Sequence, residues 1–90
     1  MLMEEILYRL RMNCPLLTTL DLSNIDDKWT ERTLLALRHN TTVKKLKVKD
    51  GEKRFEWLRA AKNAEVYFVN NFVAIEGGED VIYHIYKGDL

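Results

Sequence analysis

The sequence predicts an α/β fold: a short, curved row of helix–strand units with parallel strands, finished by a C-terminal antiparallel hairpin. Three observations predict it. A strand-like pattern of three apolar columns followed by Asn or Asp recurs along the chain. It reads Leu17-x-x-Leu20-x-Leu22-x-Asn24, then Val43-x-x-Leu46-x-Val48-x-Asp50 after 26 residues, then Ala64-x-x-Tyr67-x-Val69-x-Asn71 after another 21. A helical pattern recurs beside it. Leu7, Leu10, Arg11 and Asn13 match Leu34, Leu37, Arg38 and Asn40 at a shift of 27, and Phe55, Leu58 and Arg59 continue the series at 21. The length differences fall in turns, at Cys14-Pro15 and where IDDKWTE shortens to GEK, as stacked units require.

The first element is an amphipathic helix over residues 3–13. Ile6, Leu7 and Leu10 share one stripe, and Pro15 forces the residue before it out of helical geometry. As the terminal helix it is expected to cap one end of the row. Residues 17–23 form the first strand, with Leu20 and Leu22 inward and Thr19, Asp21 and Ser23 outward. Asp27 or Thr30 caps a second helix from about Trp29 to His39, whose acidic start suits the positive end of the helix dipole. Asn40-Thr41-Thr42 reads as a C-cap and turn, although it also has the form of a glycosylation sequon.

Residues 43–49 form the second strand. With Leu46 and Val48 inward, Lys45, Lys47 and Lys49 share the opposite face. A third helix spans residues 52–63, with Phe55, Leu58 and Ala61 or Lys62 on its inner stripe. Trp57 falls off that stripe, either as an exposed interface anchor or against the neighbouring helix. Beyond Glu65 the texture becomes β-branched and aromatic. Residues 66–69 complete a third strand, and residues 72–76 and 81–86 pair as a hairpin across Gly77-Gly78. Apolar residues on both faces of this last third, Phe68 and Tyr86 among them, exceed what three helices can cover. This end is therefore expected to fold back on the sheet or to serve as an interface, and its edge could template pairing with another copy.

LTTLDLSN looks like the strand segment of leucine-rich repeats, and LLALRHNTTVKKLKV resembles the helix-to-strand passage of their ribonuclease-inhibitor-like and tropomodulin-like subtype. NCPLLTTLDL is also similar to the repeats found beside F-box domains. The resemblance covers residues 5–71. It departs from the family pattern at the Asn/Asp column, which lies one position early, with Ile25, Gly51 and Phe72 in the usual slot. It implies a solenoid that binds other proteins on its concave strand face.

Ninety residues suit a single domain, and a chain this short buries only about 60–65 % of its unfolded surface. The composition, 47 % hydrophobic and 31 % charged, is that of an ordered chain. Fourteen basic residues balance fourteen acidic ones, so any site for a polyanion must be a local patch. One cysteine, Cys14, allows no internal disulfide, and acidic Glu4 and Glu5 stand where a signal peptide is basic. A cytoplasmic or nuclear protein without a membrane span is expected.

No reaction chemistry is spelled out. His39 and His84 lack metal-ligand spacing, Gly77-Gly78 lacks the Lys-Ser/Thr of a phosphate loop, and Ser23 and Cys14 have no adjacent base. Short loops are expected to leave little volume for a substrate pocket. The expectation is a non-catalytic adaptor or inhibitor without cofactor or metal. It would bind a protein partner through Asp21, Lys45, Lys47, Lys49, Trp57, Phe68 and Tyr86. The alternatives are a nucleic-acid module using the Lys44 to Arg54 basic stretch, and a self-assembling structural protein joined through its C-terminal edge.

Overall fold

The computed structural model describes residues 2–70 and 81–86, with side chains through residue 69. Three α-helices alternate with three parallel strands. Helix α1 is Met3–Arg11 and strand β1 is Thr19–Leu22. A 3₁₀ turn, Asp27–Trp29, leads into α2, Thr30–Arg38, followed by β2, Lys45–Lys49. Helix α3 is Arg54–Ala60 and β3 is Glu65–Asn70. A last strand, β4, is Val81–Tyr86. The sheet order is β1-β2-β3-β4, with the first three strands parallel and β4 antiparallel to β3.

The helices form where the sequence places apolar stripes. Leu7 and Leu10 bury the inner face of α1, and Thr33, Leu34, Ala36 and Leu37 that of α2. Thr33 is tolerated inside because its hydroxyl donates to the Trp29 carbonyl, 2.7 Å away. Helix α1 stops at Asn13, whose φ of 51° is the left-handed conformation that Asn reaches more readily than most residues. Asn13 N–H then bonds Leu10 O, and Cys14 N–H bonds Arg9 O, the paired closure of a Schellman end.

Every inward strand residue joins one core with these helices: Leu20 and Leu22 from β1, Leu46 and Val48 from β2, Val66 and Phe68 from β3. All three helices therefore lie on one face of the sheet. The opposite face carries Thr19, Asp21, Lys45, Lys47, Lys49, Glu65 and Tyr67, and also Val69, which pairs with Lys49 and is fully buried.

Two expectations are corrected. Leu20 pairs with Leu46 as expected, but Leu46 pairs with Val66 and Val48 with Phe68, so the third strand sits one residue off the column match. Tyr67 consequently faces outward and Phe68 inward, because a one-residue slip exchanges the faces of a strand. In α3 the inner stripe is Trp57, Leu58, Ala60 and Ala61, whereas Phe55 is 52 % exposed. The strand Val81–Tyr86 pairs antiparallel with β3, and the expected hairpin with residues 72–76 across Gly77-Gly78 lies outside the described residues.

Candidate functional site

Two features of the described residues can meet a ligand: the helix-free sheet face, and clefts at the carboxyl ends of the strands. The face is built in rows. Asp21, Lys47 and Tyr67 are cross-strand neighbours, as are Thr19, Lys45 and Glu65. Lys47 Nζ lies 3.9 Å from Asp21 Oδ2, an exposed pair of the kind that contributes under about 1 kcal/mol. Asp21 also accepts from Ser23 twice, from its N–H at 2.9 Å and its hydroxyl at 2.6 Å. Partial loss of water works to raise the Asp21 carboxyl, but the Ser23 bonds and the Lys47 charge together outweigh it and hold the group below its ordinary value.

On the next strand the Tyr67 hydroxyl donates to Glu65 Oε2 at 3.0 Å, which pushes the phenol up. Lys45 and Lys49 make no ion pair among the described residues. They stand about 13 Å apart by strand rise. The face thus offers two available ammonium groups flanking a neutralised Asp21–Lys47 row, with the Tyr67 ring beside it.

Of the residues that the sequence singles out, Asp21, Lys45, Lys47 and Lys49 are brought together here. Phe68 is not: it is fully buried, its ring lying 4.9 Å beneath the Arg54 guanidinium. Arg54 Nε is also 3.2 Å from Asp50 Oδ1, an attraction of charges without an aligned hydrogen bond. Trp57 is only 4 % exposed and packs in the core, so it cannot anchor a partner. Tyr86 belongs to β4, and its side chain is outside the described residues. Tyr67 was missed as a face residue. Its signal was present, since Glu65 and Tyr67 are the polar members of the run EVYFV and share one parity.

The clefts are also unexpected, given the short loops. One of about 490 Å³ lies between β1, β2 and the starts of α2 and α3, over Leu22, Ile25 and Trp57. Its charged rim includes Glu31 and Lys53, which bond to each other across it. Their contact lowers the Glu31 carboxyl and raises the Lys53 ammonium. A second cleft of about 450 Å³ lies beside Met3, Ile6 and Trp29. Ser23 lines the first, but its hydroxyl is committed to Asp21, so it is a turn-forming group. Among the described residues no three His, Cys, Asp or Glu side chains converge as a metal site requires, and no helix is long and apolar enough to cross a membrane.

No family model, curated protein or solved structure matches this chain. The likeness to leucine-rich repeats expected from the sequence columns therefore finds no counterpart in these comparisons. Of the column residues, Asn13 and Asn40 carry the most structural weight. The Asn40 amide, nearly buried, donates to Leu10 O and Thr42 Oγ1, both at 3.0 Å, and its carbonyl accepts from Thr42 N–H at 3.0 Å and Val43 N–H at 2.8 Å. Asn13 Oδ1 accepts from Thr41 N–H at 2.9 Å. Two asparagines 27 residues apart thus tie the first helix–strand pair to the second. Because the Asn40 side-chain nitrogen is spent inside the fold, it is not presented for glycosylation.

Proposed function

We propose that this chain is a short, leucine-rich-repeat-like solenoid that acts as a non-catalytic protein-interaction module, and that its partner docks on the helix-free sheet face. The observation that carries this reading is the in-register row of Asp21, Lys47 and Tyr67, flanked by Lys45 and Lys49, on a sheet face that no helix among the described residues covers. Parallel strands in chain order, with their helices on one side, are the arrangement in which a solenoid exposes its strand face for binding. An acidic segment of a protein partner suits it: two ammonium groups steer the approach, and the Tyr67 ring supplies contact area. Asp21 and Glu65 break the lysines into separate points, which favours this over a phosphate backbone. A reducing compartment suits Cys14, which has no second cysteine to pair with.

Converting Lys45 and Lys49 together to Glu tests the reading. The variant is expected to keep the wild-type melting curve and to lose a captured acidic partner at least tenfold. Unchanged capture by a folded variant rejects the surface. A salt titration against single- and double-stranded nucleic acid tests the competing reading, because a phosphate binder weakens steeply with ionic strength and a protein adaptor shows no affinity to weaken.

A further inference from the structure

Strand β1 ends the sheet, and its outer edge has no strand partner among the described residues. Thr18 O accepts from Lys44 and Lys45 N–H, so the even-numbered backbone groups of this strand point toward β2. By the two-residue period, the N–H and C=O groups of Thr19 and Asp21 point to the open edge. We propose that this edge pairs with the same edge of a second copy, antiparallel, about a two-fold axis at Leu20.

The chemistry of the edge selects both the occupant and the register. In an antiparallel ladder, directly opposed residues exchange both backbone bonds. An axis at Leu20 opposes Thr19 to Asp21 of the second copy and Asp21 to its Thr19, which satisfies all four outward residues and sets a hydroxyl donor against each carboxylate. An axis at Asp21 would oppose two carboxylates, and one at Thr19 would oppose each Asp21 to an apolar Leu17. At the Leu20 axis the two Leu20 side chains meet on the core side, which closes the slightly open edge of each core.

The first helix fits the same symmetry. Helix α1 is acidic in its first turn, with Glu4 and Glu5, and basic in its last, with Arg9 and Arg11. A two-fold perpendicular to the sheet keeps both copies' helices on one side and runs their first helices antiparallel. Each acidic end then lies beside the other's basic end. Exposed apolar side chains are concentrated in the same region: Leu2, Tyr8, Met12 and Leu16, the last 91 % exposed, all precede β1. The association leaves the lysine face open, so it stands or falls independently of the partner proposed above.

Sedimentation equilibrium and amide exchange test it. The wild-type mass is expected to rise from 10.6 kDa to twice that value between micromolar and millimolar concentration. The Thr19 and Asp21 amides should gain protection in step with it. Thr19→Pro removes an N–H that the monomer does not use, and Leu16→Glu adds charge beside the edge. Each should lower the association constant at least tenfold with an unchanged melting curve. Should Thr19→Pro fail to fold, Leu16→Glu and the wild-type exchange data decide. A wild type that is monomeric throughout overturns the proposal. So does a dimer whose Thr19 and Asp21 amides stay unprotected, or a mass that climbs past two copies.

Discussion

At the scale of single residues, two asparagines and an aspartate show how far side-chain chemistry fixes the backbone. Asn40 satisfies two N–H groups of the turn into β2 and one carbonyl at the end of α1. Truncating it strands those groups in a nearly buried place, so Asn40→Ala should cost about 2–3 kcal/mol in urea unfolding. Asn13→Gly should cost less than Asn13→Ala, because glycine accepts the positive φ although it too loses the bond to Thr41. Asp21 makes a pH-dependent contribution. Its folded pKa lies below its ordinary 3.8, so that contribution is fully present above this value and is lost as pH falls through the folded one. Asp21→Asn should therefore flatten the decline of stability below about pH 4 in urea titrations. The shared column of Asn13 and Asn40 was legible in the sequence. That the two would bond across units was not, because a column reports equivalence and not contact.

At the scale of elements, the first two units were legible and the third was misread by one position. In LTTLDLSN and VKKLKVKD the apolar and polar residues alternate, so only one face can be inward. In EVYFV four consecutive residues are apolar or aromatic, and either parity yields a plausible inner face. Helix α3 compounds the ambiguity: its seven residues hold two aromatics and offer under two turns of periodicity. Trp57 is buried together with the alanines at 60, 61 and 64, and Phe55 is left outside. The same misreading put Phe68 and Trp57 into the candidate site. Paired substitutions check the corrected register by chemical unfolding. Phe68→Ala should cost about 3–5 kcal/mol, whereas Phe55→Ala should stay within about 0.5. The reverse order would restore the original column match.

At the scale of the molecule, the question is whether the units behave as one cooperative body or as neighbours coupled only in sequence. A ninety-residue chain has about 5–13 kcal/mol of stability in total, so one core deletion is a large fraction of it. Leu46 and Leu20 occupy equivalent places in adjacent strands, yet Leu46 is fully buried with strands on both sides, and Leu20 lies at the sheet edge with 7 % exposure. Leu46→Ala should fall near the upper end of the leucine-to-alanine range, about 4–5 kcal/mol, and Leu20→Ala near the lower, about 2.5–3. The two tryptophans make the distinction visible, since Trp29 packs against the core at the entry to α2 and Trp57 belongs to α3. If coupling passes only between neighbours, Leu20→Ala should separate the transitions, with helix loss by circular dichroism beginning before the Trp57 environment changes. Coincident transitions in that variant would mean that the sheet and its helices unfold as one unit. The strand face would then be as rigid as the core beneath it.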